Sequence, residues 1–202
     1  IQEFHRPLVS VDNKHERFQQ TLALVRGLEP IPTAVAHPCD KESLKGPVIA
    51  FHEGIIEPIL VGPESRIRGV AEEFGIDLHG IRIVNAKHSH DAAAIAVSLV
   101  RTGDAEALMK GSLHTDELMA EVVARANGLR TARRISHVFL MNVPTYHRPL
   151  LITDAAINIA PTLEDKVDIV QNAIDLAHII GIPEPKVAIL SAVETVNPKI
   201  QS

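Results

Sequence analysis

The sequence predicts an α/β fold, a largely parallel sheet covered by helices on both faces in a three-layer α/β/α arrangement. Three observations point there. Short apolar runs, too brief for helices and mostly rich in Val or Ile, recur along the 202 residues. Longer amphipathic segments lie between them. The apolar residues are overwhelmingly Ala, Val, Ile and Leu: aromatics make up 3%, Trp is absent and Tyr146 is the sole tyrosine, a composition that suits strands buried on both faces.

Taken in order, Ile1–Asn13 is polar and aperiodic and reads as a linker or terminal arm, with helical patterning from about Lys14. Strands are predicted at Thr33–Ala36, Ile59–Val61, Ile81–Val84, Ala107–Met109, His137–Val143, Leu150–Ile152 and Val187–Leu190. A helix is predicted at Asp116–Arg125. Another runs over Leu163–Ile180, with Val170, Ala173, Ile174, Ala177 and Ile180 on one face. Thr162 and Asp165 are spaced close to a capping-box signature, and Gly181 with Pro183 stops the helix. The cluster Pro144, Tyr146, His147, Arg148 and Pro149 interrupts the alternation. The chain is therefore divided into an arm, 1–13, a first α/β lobe, 14–143, and the start of a second, 144–202.

Bulk properties remove several function classes. A net charge of −5 argues against a nonspecific nucleic-acid binder. No apolar run approaches a membrane span and nothing at the start reads as a signal peptide. One cysteine, Cys39, rules out an internal disulfide and suits a reducing compartment, so the cytoplasm is the expected location.

Ligands of parallel sheets sit beyond the carboxyl ends of the strands, which directs attention to the residues after each run. Two segments are site-like. In Leu108–Asp116 a strand end delivers Lys110, then Gly111 and Ser112, then His114 and Thr115 at the approach to a helix. Backbone N–H groups at a helix start bind anions, and a lysine adds a compact positive charge. The plain structural alternative is that Thr115 caps the helix and Lys110 is solvated. In Ser191–Pro198, small residues would let a ligand approach the backbone, while Ser191, Glu194, Thr195 and Asn197 offer hydrogen bonds. A capped turn before a helix is the alternative here.

The strings ALMKGSLHTDEL, RRISHVFLMNVP, LLITDAAINIAPTLEDK and VAILSAVETVNPKI, with the weaker AHPCD and PILVGP, carry a resemblance that extends from about His15 to the last residue. They resemble the phosphate acetyltransferase and phosphate butyryltransferase family. Met109-Lys110-Gly111 and Thr153-Asp154-Ala155-Ala156 look closer to the butyryl branch, because Met119 and Ala155 stand where the acetyl branch has an arginine and a cysteine.

The resemblance implies two α/β lobes with a cleft between them, similar to isocitrate and isopropylmalate dehydrogenases, with the second lobe incomplete here. It implies reversible transfer of an acetyl or butyryl group between coenzyme A, as substrate rather than resident cofactor, and inorganic phosphate. Acyl-CoA, phosphate and acyl phosphate are the implied partners, in a homodimer without metal, membrane or nucleic acid. Lys110, Gly111, Ser112, His114, Thr115, Asp154, Ser191, Glu194 and Thr195 are its implied substrate-binding residues. The residues usually assigned to catalysis lie beyond Ser202 in the family, so none is carried over and the segment alone is expected not to turn over. Some relatives place this domain behind an enoyl-CoA hydratase, and Ile1–Asn13 fits such a linker.

Other features have plainer readings. His88-Ser89-His90-Asp91 reads as a helix cap and a solvated pair rather than a metal site. Cys39 lacks a local activating partner and reads as a structural or merely accessible thiol. Arg130, Arg133 and Arg134 read as a solvated face or subunit contact, with a CoA-phosphate anchor as the minority option. Asp154 either faces the cleft or caps the turn toward Asn158. A non-catalytic acyl-CoA-sensing domain is the alternative function. A metal-dependent decarboxylating dehydrogenase ranks last, for want of clustered aspartates and a dinucleotide site.

Overall fold

The computed structural model describes residues 16–143, 146, 148–191 and 193–195. The chain separates into two units: Val25–Thr131, and a second drawn from the flanking chain up to Leu24 and from Ala132 onward. The expected arm Ile1–Asn13 lies outside the described residues, and helix α1 (Glu16–Val25) leads into the first unit.

Four parallel strands form the centre of that unit: β1 (Ile31–Ala36), β2 (Ile56–Gly62), β3 (Arg82–Asn85) and β4 (Ala107–Lys110), in spatial order β3-β2-β1-β4. Residue alternation along β1 decides which face each side chain meets. Val35, with Leu60 of β2, packs against Leu44 of α2 (Lys41–His52) and Ile67 and Ala71 of α3 (Glu64–Phe74). Ala34 and Ala36, with Ile59 and Val61, pack on the opposite face against α4 (Ser89–Thr102) and α5 (Thr115–Val122). The contact face of α4 is Ala92, Ala93, Ala96 and Val97, all buried, so small side chains bring this helix close to the sheet and explain how a core works with so few aromatics.

Capping fixes the helix limits. Asp40 and Ser43 form a reciprocal box at the start of α2, with Ser43 N–H donating to Asp40 Oδ1 at 2.9 Å. The α3 helix ends on Gly75 in the left-handed region (φ +62°), with Ile76 N–H returning to Ala71 O at 2.8 Å. Helix α5 stops at Val122, short of the expected Arg125. There the chain turns back, Leu129 N–H donating to Val122 O at 2.8 Å and Gly128 N–H to Ala124 O at 3.1 Å.

The second unit departs from the expected parallel pattern. Strands β5 (Val138–Met141) and β6 (Leu150–Thr153) pair antiparallel, with Val138 opposite Thr153 and Met141 opposite Leu150. Only residues 142–149 connect them, and a parallel crossover needs about a dozen or more. The boundary expected at 143/144 falls after β5, whereas β5 belongs with β6. Helix α6 (Leu163–Ile179) begins on the Thr162–Asp165 capping box and ends at Gly181 (φ +85°). Its buried positions are Ile169 and Ala177, with Ala173 half-buried between them. Ile169 is absent from the face read from periodicity.

Val187–Leu190 is not a strand. Val187, Ile189 and Leu190 are 52%, 74% and 87% exposed, and no neighbouring strand among the described residues offers them a ladder. Apolar β-branched character makes a segment suitable for a sheet; a strand also requires a partner for its N–H and C=O groups.

Candidate active site

Chain order sets the location. From β1 the chain steps outward through α2 to β2 and through α3 to β3, using one face of the sheet; it then crosses the other face through α4 to reach β4 on the far side of β1. The helices leaving β1 and β4 therefore lie on opposite faces, the arrangement in which open α/β sheets place a ligand crevice beyond the carboxyl ends of the two strands. The ladder register places Ala36 opposite Lys110, so the segments entering that crevice are His37–Asp40 and Lys110–Thr115.

These two segments are bonded to each other. Gly111 N–H donates to Ala36 O at 2.8 Å and Ser112 N–H to His37 O at 2.9 Å. The Ser112 hydroxyl donates to His37 O at 2.8 Å and accepts Cys39 N–H at 3.0 Å. Gly111 is required by close approach: a Cβ there would sit 2.4 Å from Ala36 O and 2.6 Å from His37 O. His37 holds φ at +54° and is buried, and its Nδ1 lies 3.2 Å from Ser112 O. Gly111 and Ser112 therefore have their N–H groups committed to β1, and Ser112 Oγ is committed as well. The amides left for an anion are those of Leu113 through Glu117, at the loop end and first turn of α5.

The Lys110 ammonium is exposed but laced to its own loop, donating to Leu113 O at 2.8 Å and Gly111 O at 3.3 Å. An ammonium has three donors, and two are used here. His114 is the N-cap of α5 and makes no side-chain cap bond, so its exposed ring is placed at the helix start without a capping duty. Thr115 is the first helical residue rather than the cap. Glu117 faces the start of α4: a hydrogen bond from Ser89 outweighs burial and, with the charges of His90 and His114, holds its carboxyl below the usual range.

Cys39 is buried and not accessible. Burial pushes its thiol up, only partly countered by Arg66, so it is a poor nucleophile. His88 caps α4, its Nδ1 accepting Asp91 N–H at 3.2 Å, and His90 Nε2 lies 3.9 Å from Glu117 Oε2. No group of three or more His, Cys, Asp or Glu side chains is gathered for a metal among the described residues.

The remaining predicted residues lie in the second unit. Asp154, directly after β6, collects N–H groups from His137 (3.1 Å), Ala156 and Ile157 (both 3.2 Å) and Asn158 (2.9 Å), together with the Asn158 side-chain amide. It thus organises the turn toward Asn158. Burial raises its pKa, but the hydrogen bonds outweigh burial and hold the carboxyl below the usual range. A depressed folded pKa contributes stability that is present above the unfolded value, about 3.9, and is lost as pH falls through the folded one. Asp154→Asn, which turns amide donors toward donors, is expected to cost about 1.5–3 kcal/mol at pH 7. The difference in Tm from wild type should shrink as the pH is lowered below 4; an equal difference at pH 7 and in acid would show that the carboxylate charge is irrelevant.

Ser191, Glu194 and Thr195 are exposed, and Val193 N–H bonds to Ser191 Oγ at 3.4 Å. Since Val187–Leu190 is not a strand, strand-end geometry does not support this loop as a site. Ala192 and residues 196–198 lie outside the described residues. Arg133 and Arg134 are clamps within the unit: Arg133 meets Asp175 at 2.5 Å, Arg134 Nε donates to Asn158 Oδ1 at 2.7 Å, and Arg134 N–H donates to Asp168 at 2.7 Å. These contacts fasten the chain before β5 to α6 and to the turn after β6. No helix among the described residues is long and apolar enough to cross a membrane.

Comparison with known proteins agrees with this architecture. The chain is 60% identical over 186 residues to a phosphate acetyltransferase of Rhizobium meliloti, covering 92% of this chain and 59% of that protein. It is 39% identical over 185 residues to a phosphate butyryltransferase of Clostridium acetobutylicum, covering 92% of this chain and 62% of that one. The lean toward the butyryl branch therefore has no counterpart in these identities. A crystal structure of a branched-chain phosphotransacylase from Enterococcus faecalis V583 superposes with a TM-score of 0.62 at 29% identity, over 84% of this chain and 59% of that one. The chain thus spans about three-fifths of the length of each. The model of the family described as phosphate acetyl/butaryl transferase matches residues 87–202, more than half of the sequence and including the Lys110 loop, and the chain belongs to that family.

Proposed function

We propose that the full-length protein reversibly transfers a short acyl group between coenzyme A and inorganic phosphate, with acetyl-CoA accepted at least as well as butyryl-CoA. The observation that carries this reading is the placement of Lys110 at the β1/β4 crevice, followed by unspent amides and the start of α5, in a chain of this family. In the direction of CoA acylation, the CoA thiolate attacks the carbonyl carbon of acyl phosphate and the carbonyl electrons move onto oxygen. Collapse of that tetrahedral species expels phosphate. Thiolate is a strong nucleophile, so the work left to the protein is orientation and stabilisation of negative charge. Lys110 supplies charge, the Leu113–Thr115 amides supply donors, and the His114 ring supplies a further donor to phosphate or to the carbonyl oxygen. Gly111 and Ser112 shape the loop. Asp154, Ser191, Glu194 and Thr195 are proposed as further substrate-binding residues on the family resemblance alone. The protein is further proposed to act in the cytoplasm as a homo-oligomer.

The test is direct. Full-length protein incubated with acetyl-CoA should release free CoA only when phosphate is present, with acyl phosphate formed in equal amount. The acetyl preference is read from kcat/KM for acetyl-CoA and butyryl-CoA. Butyryl carries two methylenes more than acetyl, each shifting this ratio by roughly 10–200-fold in an apolar pocket, so only a clear butyryl advantage would reverse the assignment. Saturable CoA binding without turnover would instead support the sensing alternative.

A further inference from the structure

Among the described residues, His37 is the one non-glycine residue in the left-handed region. Such a conformation persists where surrounding structure over-determines it, and it is a pointer toward function. Glycine or asparagine would adopt this backbone with less strain. The histidine ring must therefore do something those residues do not, or do only in part. Its backbone N–H extends the β1–β2 ladder, donating to Val61 O at 2.7 Å. The left-handed turn then swings its carbonyl to the other neighbour, where it accepts Ser112 N–H, the Ser112 hydroxyl and Cys39 N–H at 2.9, 2.8 and 2.9 Å. The ring completes the clasp: Ser112 O can only accept, so the Nδ1 that lies 3.2 Å away carries the proton.

We propose that His37 is a positioning residue for the anion loop. Its carbonyl and Nδ1 hold Ser112 from both sides, and this keeps Lys110–Thr115 in the conformation that receives the phosphate end of the substrate. The inference rests on the acyl-transfer reading above. It differs from a proton-transfer role in a way that can be measured, because the clasp uses only the N–H of the ring, which is present whether the imidazole is neutral or charged. Protonation therefore leaves it intact, and an asparagine amide, which donates a hydrogen bond and tolerates the left-handed backbone, can replace it.

The experiment compares His37→Gly and His37→Asn in the full-length protein. His37→Gly should raise KM for phosphate about tenfold while KM for acyl-CoA stays within about twofold. Its Tm should stay near that of wild type, since relief of strain offsets the lost ring bond. Amide hydrogen exchange at Ser112 and Leu113 should accelerate about tenfold. His37→Asn should restore both KM and exchange to within about threefold of wild type. Wild-type KM for phosphate in His37→Gly overturns the proposal. So does a His37→Asn as impaired as the glycine variant, which would make the ring a reacting group. Should the glycine variant not fold, His37→Asn decides alone: a KM for phosphate or an exchange rate at Ser112 more than about threefold above wild type overturns the proposal. An inactive wild type would sink the acyl-transfer reading and with it the phosphate-end role, whereas unchanged exchange at Ser112 in His37→Gly would sink the clasp itself.

Discussion

Replacing Lys110 with alanine in the full-length protein is expected to lower kcat/KM for acyl phosphate formation about ten- to a hundredfold, the effect of losing a charged hydrogen bond of roughly 1.5–3 kcal/mol. The lysine stands at the end of β4 opposite Ala36, where the helices leaving β1 and β4 diverge to opposite faces of the sheet. Tm should change little, because an exposed side chain on a strand-end loop contributes little to the core. The bonds from Nζ to Leu113 O and Gly111 O allow a second mode of action, since the ammonium also laces the loop that carries the remaining amides. Lys110→Arg separates the two. It retains the charge, but its planar fork cannot wrap two carbonyls one and three residues away in the same manner. Partial activity in the arginine variant identifies charge as the main contribution; activity as low as alanine identifies the lacing. Lys166, in the first turns of α6, is the control and should tolerate alanine. Full activity in Lys110→Ala, or simple unfolding, would return Lys110 to a solvated or purely structural role.

Much of the first unit was legible because each of its signals is local. The runs at Thr33–Ala36, Ile59–Val61, Ile81–Val84 and Ala107–Met109 all fall within or across observed strands, and in the second unit Thr162 with Asp165 likewise marks the start of α6. A period of two, a cap and a glycine stop can be read without knowing what packs against what. Failures came where the answer depends on a distant partner. Val187–Leu190 has strand composition but no neighbouring strand among the described residues, and Arg133 and Arg134 are defined by carboxylates on α6 roughly forty residues away. The short link between β5 and β6 was a usable signal for an antiparallel pair, since 142–149 is too short for a crossover.

The site divides along the same line. Lys110 and Gly111 could be found from a strand end followed by a glycine. That Ser112 and His37 form one unit could not, because it requires the order β2-β1-β4, which brings together residues 75 positions apart. Once that order is known, the AHPCD string changes meaning. His37 becomes the partner of the anion loop, and Cys39 becomes a buried residue whose amide serves Ser112.

Gly111→Ala should be the most destabilising of these changes, and its cause lies in β1 rather than in the loop. The added methyl would meet Ala36 O at 2.4 Å, His37 O at 2.6 Å and His37 C at 2.7 Å, all backbone atoms that cannot rotate away. Relief requires β1 and β4 to part at their carboxyl ends, which breaks the Gly111–Ala36 and Ser112–His37 hydrogen bonds beside the fully buried Ala36. Overpacking of this kind costs about 1–3 kcal/mol, and each of the two hydrogen bonds lost adds about 1, so a total of about 3–5 kcal/mol is expected. At roughly 2–4 °C per kcal/mol for a chain of this size, Tm should fall by about 6–20 °C. Gly69→Ala tests the opposite sign within the same unit. Gly69 is an exposed helical position in α3 with nothing within 4 Å of a Cβ, so alanine there should stabilise by about 0.5–1 kcal/mol. Thermal melts of both variants decide the matter: if Gly111→Ala melts with wild type while Gly69→Ala rises as expected, the ends of β1 and β4 are not held in the close approach described, and neither the clasp on Ser112 nor the shape of the Lys110 loop follows from it.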